Sequence, residues 1–175
     1  MTRRRLFSTA TMVILMVSTS ILAQIGNPFI HDPSTIMQCE GKYYTFGTGG
    51  GGLISKDCWT WNGGGARPGG GAAPDALKIG NRFRVAYGAT GGSTSHKGVI
   101  YTMWNKTLDP TSPEFKYSEQ VIGATSDGYE ENDAIDPGLF LDPNTSRLWL
   151  TYGTYYGFSR IVELDPKTGG LKLGN

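Results

Sequence analysis

Three aspartates stand beside prolines at the start of three similar segments of the sequence. They are Asp32 before Pro33, Asp75 after Pro74 and Asp136 before Pro137. If the segments fold alike, the three carboxylates converge on one cleft, and like charges held close together separate their pKa values. Carboxyl groups with separated pKa values are what acid–base hydrolysis of a glycosidic bond requires. The alternative is structural, because Asp caps turns and Pro is tolerated at the first position of a strand.

The elements that would position these aspartates are predicted to be β-hairpins. Short apolar and aromatic runs alternate with turn signals, and beyond the first two dozen or so residues almost no helical periodicity is found. Turns of Glu40-Gly41, Gly80-Asn81 and Asp142 to Ser146 close them. The predicted strand pairs are Thr35–Gln38 with Lys42–Phe46, Leu77–Ile79 with Phe83–Tyr87, and Leu139–Leu141 with Leu148–Tyr152.

The hairpins belong to a repeated unit, which is the most informative feature of the sequence. An aromatic residue followed by glycine ends each hairpin, at Phe46-Gly47, Tyr87-Gly88 and Tyr152-Gly153. A further strand follows at Leu53–Ser55, Val99–Trp104 and Arg160–Leu164. Sheets of four strands repeated in this way are the blades of a propeller, so we predict an all-β propeller. The glycine-rich stretch Gly63 to Gly71 is predicted to be a linker between units, since it lacks the Lys-Ser/Thr of a phosphate-binding loop.

The composition narrows the class of protein. The 175 residues carry 16 Lys+Arg and 15 Asp+Glu, so neither a basic nucleic-acid surface nor an acidic disordered tail is indicated. The 26 glycines, together with many aromatic residues, favour short strands and tight turns over helices.

The first residues are typical of an export signal. Arg3, Arg4 and Arg5 precede an apolar stretch, Thr11 to Ala23, that is short for a transmembrane helix. We therefore expect a signal peptide over residues 1–23 and a secreted or periplasmic protein, with an uncleaved membrane anchor as the alternative. Export would allow a disulfide between Cys39 and Cys58, and two idle thiols are the other expectation.

Several motifs stand in a fixed order around the aspartates. They are Ile30-His31-Asp32-Pro33-Ser34, Tyr43 to Gly49, Ala73-Pro74-Asp75, Thr107 to Pro113, Ala134-Ile135-Asp136-Pro137 and Leu164 to Gly169. In type, order and spacing these motifs resemble glycoside hydrolase family 43, and most of all its endo-arabinanases. The resemblance runs from Gly26 to the end of the sequence.

The resemblance implies an inverting hydrolase of arabinan, which is α-1,5-linked L-arabinose, or of a related pentose polysaccharide. It implies a five-bladed β-propeller, with residues 24–175 as its N-terminal part and roughly three blades present. Asp32 would be the general base that activates water, and Asp136 would orient the general acid and tune its pKa. The acid is expected to be a Glu on a later blade, beyond residue 175. Substrate contacts are expected from Asp75, Ile135, Thr154 and Tyr155.

The resemblance requires no cofactor, although it allows calcium or another cation near the propeller axis of the full-length protein. The expected partner is the polysaccharide, with no nucleic acid, no membrane after signal cleavage, and a monomeric full-length protein. His31 either orients the base beside it or caps a turn. Ala72 stands where the family has Trp, and Asp133 stands where Asn is usual. These departures leave a pentose polysaccharide other than arabinan open as the substrate. The alternative function is a catalytically inactive carbohydrate-binding propeller, or a gene fragment.

Overall fold

The protein is built almost entirely of β-sheet. The structure, a computed structural model, describes residues 25–64, 71–90, 98–126, 133–153 and 158–173. Within these ranges the only helical segment is a short 3₁₀ turn at Thr48–Gly50. The expected signal peptide lies outside the described residues. So does the central part of the predicted glycine linker, whose first residue, Gly63, instead ends a strand.

Three sheets follow one another along the chain, and neighbouring strands are antiparallel except where β1 joins the first sheet. The first contains β2 (Met37–Cys39), β3 (Lys42–Phe46), β4 (Gly52–Ser55) and β5 (Thr60–Gly63), with β1 (Ile25–Gly26) parallel to β5. The second contains β6 (Ala72–Ile79), β7 (Arg82–Thr90), β8 (Val99–Asn105) and β9 (Ser118–Thr125). The third contains β10 (Gly138–Leu141), β11 (Leu148–Tyr152) and β12 (Arg160–Leu164).

The sheets pack face to face with their first strands side by side, because β6 contacts both β2 and β10. One apolar cluster joins the first and second sheets through Tyr44, Phe46, Phe83, Val85 and Met103. A second cluster joins the second and third sheets through Ala86, Ile100, Leu148, Leu150 and Leu164. Burial of both faces of the middle sheet is what a propeller blade requires. The prediction of an all-β propeller with roughly three blades is confirmed.

The predicted hairpins are present, with some differences in strand length. β3, β11 and β12 have the predicted bounds, whereas β6 and β7 are longer than predicted and β2 begins two residues later. The turn of the first hairpin places Glu40 at φ 50° and Gly41 at φ 74°. Two successive left-handed residues are the backbone of a type I′ turn, which matches the twist of the strands that it joins.

The fourth strands of the first two repeated units, β5 and β9, were not located from the sequence. β9 begins with the exposed residues Ser118, Glu119 and Gln120, and β5 ends in exposed polar and glycine residues. Both strands have few buried positions, so they lack the alternation by which strands are recognised. Local sequence pattern therefore predicted the inner strands better than the outer ones.

The two cysteines are free thiols in the structure. Cys39 is buried, and its Sγ accepts a 3.4 Å hydrogen bond from the backbone N–H of Leu108. Cys58 lies in the turn between β4 and β5 with φ 61°. As for membrane-spanning segments, none of the described residues forms a helix long and apolar enough to cross a bilayer.

Candidate active site

An open cavity of about 340 Å³ lies where the first strands of the three sheets begin. Asp32, Asp75 and Asp136 all line it, as the repeat predicted. The remaining lining residues are Pro33, Thr35, Ala73, Pro74 and Pro137. The Asp/Pro motifs of three units thus come together at one end of adjacent strands, although they are far apart in the sequence.

The backbone at the cavity repeats in all three sheets, and it corrects the predicted equivalence of the aspartates. The residue before each proline is left-handed, with φ 50° at Asp32, 50° at Asp136 and 40° at Ala73. Ala73, and not Asp75, is therefore the counterpart of the other two aspartates, and a break in the β6–β7 register lies between Ala72 and Asp75. A left-handed non-glycine residue costs about 1–3 kcal/mol, and such strain concentrates at functional sites.

The carboxylate of Asp32 is held by two neighbouring side chains. Its Oδ2 lies 2.8 Å from Nδ1 of His31 and accepts a 2.7 Å hydrogen bond from the Thr48 hydroxyl. The hydroxyl oxygen of Thr48 in turn accepts a 2.8 Å hydrogen bond from the backbone N–H of Ala73. Of the two alternatives for His31, its contact favours orientation of Asp32. The contribution of Thr48 was missed, although its place directly after the aromatic-glycine pair was the available signal.

Asp136 lies in a negative environment that favours its protonated form. Partial enclosure in the cavity raises the pKa of Asp136 above its ordinary value, and the negative charges of Asp32 and Asp133 raise it further. Asp133 is buried, and its Oδ1 accepts hydrogen bonds from Gly98 N (3.0 Å) and Ser126 Oγ (3.1 Å). Asp32 and Asp136 therefore differ in environment: the carboxylate of Asp32 accepts hydrogen bonds, whereas Asp136 is influenced by the negative charges of other carboxylates.

Asp75 lines the same cavity but is only 8% exposed. Its two carboxylate oxygens accept backbone hydrogen bonds from two different sheets, Oδ1 from Thr35 N at 3.0 Å and Oδ2 from Leu139 N at 2.7 Å. Little of this side chain faces the space that a ligand would occupy.

Of the three other predicted substrate contacts, one is buried and two lie outside the described residues. Ile135 is 7% exposed, and its backbone O accepts a 2.9 Å hydrogen bond from Gly153 N. It therefore offers little surface to a sugar. Thr154 and Tyr155 lie outside the described residues.

No glutamate in the described ranges lines the cavity. Glu163 instead pairs with Arg147 and Lys172, Glu119 with Arg82, and Glu114 with Lys106. Glu40 accepts a hydrogen bond from the Thr107 hydroxyl. Over the same ranges, no three His, Cys, Asp or Glu side chains are grouped closely enough to hold a metal ion.

The comparisons with known proteins agree with the motifs, the fold and the cavity. No protein-family model matches it. The extracellular exo-α-(1→5)-L-arabinofuranosidase ArbA of Cellvibrio japonicus is 30% identical over 159 residues, which are 78% of this chain and 44% of that protein. The crystal structure of an exo-1,5-α-L-arabinanase from a bovine ruminal metagenomic library matches with a TM-score of 0.72 at 30% identity, over 87% of this chain and 56% of that one.

A family 43 endo-arabinanase from Bacillus licheniformis matches in fold with a TM-score of 0.73 at 23% identity, over 87% of this chain and 57% of that one. The chain thus spans about half the length of the relatives that it matches.

Proposed function

We propose, from the kinship of this chain with the arabinanases of glycoside hydrolase family 43, that it is part of an exported enzyme that hydrolyses arabinan. The reaction is cleavage of the glycosidic bond between α-1,5-linked L-arabinose units with inversion. The Cellvibrio relative is described as extracellular, which supports export, as does the sequence of residues 1–23. The polysaccharide is the partner, and no step requires a cofactor.

Asp32 is the general base in this proposal. His31 and Thr48 both contact Oδ2, so Oδ1 is the oxygen available to take a proton from the attacking water. Hydrogen bonds to one carboxylate oxygen fix the plane of the group, which sets the direction from which water is activated. A positioned base contributes typically ~10² to 10⁴-fold to the rate.

Asp136 tunes and orients the general acid in this proposal. A negative charge beside a carboxylic acid raises the pKa of that acid, which keeps it protonated until the leaving group needs the proton. Only the ionised form of Asp136 carries that charge, and the pKa of Asp136 is raised, so this role requires a pH above the raised pKa. The acid itself is proposed to be a glutamate outside the described residues, about 6.5–9.5 Å from the base, as inversion requires.

The observation that carries the proposal is the meeting of Asp32 and Asp136 in one cavity with the same left-handed backbone. The same backbone at Ala73 shows that the left-handed turn belongs to the repeated unit. What supports the proposal is that in the first and third units a carboxylate occupies this position and lines the shared cavity.

The test is replacement of Asp32 by Ala in the complete protein that carries this chain. Release of reducing ends from linear arabinan is expected to fall by about 10²-fold or more, while binding of arabino-oligosaccharides, measured by calorimetry, is largely kept. Asp142→Ala, in the distant β10–β11 turn, is the matched control. Activity within tenfold of wild type would overturn the assignment of the base.

The same experiment separates the enzyme from a carbohydrate-binding propeller. The absence of a glutamate from the cavity lining, over the described residues, is the observation that favours this second candidate. Binding of arabino-oligosaccharides without any turnover by the unsubstituted protein would support it.

A further inference from the structure

The carboxylate of Asp75 joins the two sheets that carry Asp32 and Asp136. It belongs to β6, the first strand of the middle sheet, and accepts one backbone hydrogen bond from the segment that leads into β2 and one from β10. The donors are Thr35 N at 3.0 Å and Leu139 N at 2.7 Å. A single buried side chain thus connects all three sheets at the rim of the cavity.

The two donors occupy matching positions in the sequence. Thr35 follows Asp32 by three residues, and Leu139 follows Asp136 by three residues. A proline comes directly after each of these aspartates, and proline fixes φ near −65°. Because the chain between each aspartate and its anchored amide is short and stiff, movement of the amide moves the aspartate.

We propose that Asp75 is a positioning residue that fixes the separation between Asp32 and Asp136. This inference rests on the proposed function, and it replaces the expected sugar contact with a role in geometry. Inversion needs a defined space for water between the reacting groups, and a misplacement of 1 Å can cost about 10²-fold in rate. The small exposed fraction of Asp75 argues against a sugar contact.

The chemistry of the site explains why a carboxylate is needed. Two N–H donors approach from opposite sheets, so an acceptor oxygen must face each of them. An ionised carboxylate has an acceptor on both sides and no donor, whereas the amide of Asn would turn an NH₂ group toward one of the backbone N–H groups. Asp75→Asn therefore keeps the shape of the side chain and breaks one of its two connections.

The control is Asp109→Asn, at a site of similar burial away from the cavity. Asp109 is also 8% exposed, and it accepts hydrogen bonds from Lys42 Nζ at 2.8 Å and from Thr111 N at 2.9 Å. It too links the first and second sheets, but it is not among the cavity residues. Both substitutions are expected to lower the melting temperature, so a general loss of stability is matched between them.

The kinetic test uses the complete protein that carries this chain. In Asp75→Asn, kcat for linear arabinan is expected to fall by about 10²-fold, while KM changes little. Asp109→Asn is expected to keep the wild-type kcat. A kcat for Asp75→Asn close to that of the control would overturn the proposal. So would a rise in KM with kcat unchanged, because that result identifies a sugar contact.

A structural test does not depend on activity. Amide hydrogen exchange at Thr35 or Leu139 is expected to accelerate in Asp75→Asn but not in Asp109→Asn. Crystal structures are expected to show a changed distance between the Asp32 and Asp136 carboxyl groups only in the former. If the distance between the Asp32 and Asp136 carboxyl groups is unchanged in Asp75→Asn, the inference is overturned, whether or not the unsubstituted protein is active. If the distance changes but the unsubstituted protein is inactive, only the proposed function is contradicted.

Discussion

Thr48 Oγ1 donates a hydrogen bond of 2.7 Å to Oδ2 of Asp32, across sixteen positions of sequence. The same oxygen accepts a 2.8 Å hydrogen bond from Ala73 N, so the backbone of the second sheet supports the carboxylate of the first. The hydroxyl has one proton, and accepting from Ala73 directs that proton toward Asp32. Thr48 therefore fixes which way the proposed base faces.

Replacement of Thr48 by Val is expected to lower kcat about tenfold, which corresponds to about 1.4 kcal/mol, with little change in KM. Val keeps the shape of the side chain but removes both its donor and its acceptor. The loss of an acceptor for Ala73 N is also expected to cost roughly 1 kcal/mol of unfolding free energy. Steady-state kinetics and chemical denaturation measure the two effects. Thr48→Ser, which keeps the hydroxyl, should behave like wild type, and an equal loss in the Ser variant would contradict the role.

Replacement of Asp136 by Asn is expected to stabilise the fold at neutral pH while removing activity. The folded-state pKa of Asp136 is raised, so the ionised form is disfavoured by folding. This penalty is full above the folded pKa and disappears as pH falls below the unfolded value. Melting temperatures measured from pH 3 to 8 should therefore show a gain for Asn that vanishes in acid.

The control for this pH dependence is Asp142→Asn, for which the expected change in stability at neutral pH has the opposite sign. The Thr145 hydroxyl and the backbone N–H of Asn144 lower the pKa of Asp142. Its ionised form stabilises the fold above the unfolded pKa, so the Asn variant should be less stable at neutral pH. A pH-independent gain for Asp136→Asn would mean that its charge is not the cause.

The charges of Asp32 and Asp133 are each expected to raise the pKa of Asp136 independently of the other. Asp32→Asn and Asp133→Asn should each lower the pKa of Asp136, because each removes a negative charge that raises it. The decrease is expected to be larger for Asp32→Asn than for Asp133→Asn. Titration of the Asp136 carboxyl carbon by NMR measures both shifts. No shift in either variant would leave partial burial as the sole cause.

One face of the third sheet is open and exposes large apolar side chains beside the ion pairs of Glu163. Phe140 is 55% exposed and Ile161 is 63% exposed. The register pairs Phe140 with Trp149 and Ile161 with Thr151, which puts them on the face opposite to the cluster containing Leu148 and Leu150. We expect residues 24–175 expressed alone to self-associate through this face.

The double variant Phe140→Ser, Ile161→Ser should reduce this association, as measured by sedimentation velocity. Ile122→Ser is the matched control, because Ile122 is 51% exposed but belongs to the second sheet. An equal reduction by the control would mean that general surface hydrophobicity, and not this face, drives the association.

The sequence by itself determined the hairpins, the repeated unit and the two Asp-Pro motifs of the cavity. The reason is that these features are local. Turns such as Glu40-Gly41 and Gly80-Asn81 carry their own backbone preferences, and the inner strands carry buried side chains at regular positions. The convergence of Asp32 and Asp136 followed from repetition, because equivalent positions of successive blades meet at one axis.

Only the tertiary structure decided which residues complete the cavity. The irregularity between Ala72 and Asp75 moves Asp75 out of the repeat and places Ala73 in the position of the other aspartates. The contacts of Asp75 with Thr35 and Leu139 join three sheets, and no spacing within one unit encodes them. Hydrogen bonds between different sheets depend on how the blades pack against one another, and the local sequence pattern of one blade does not specify that packing.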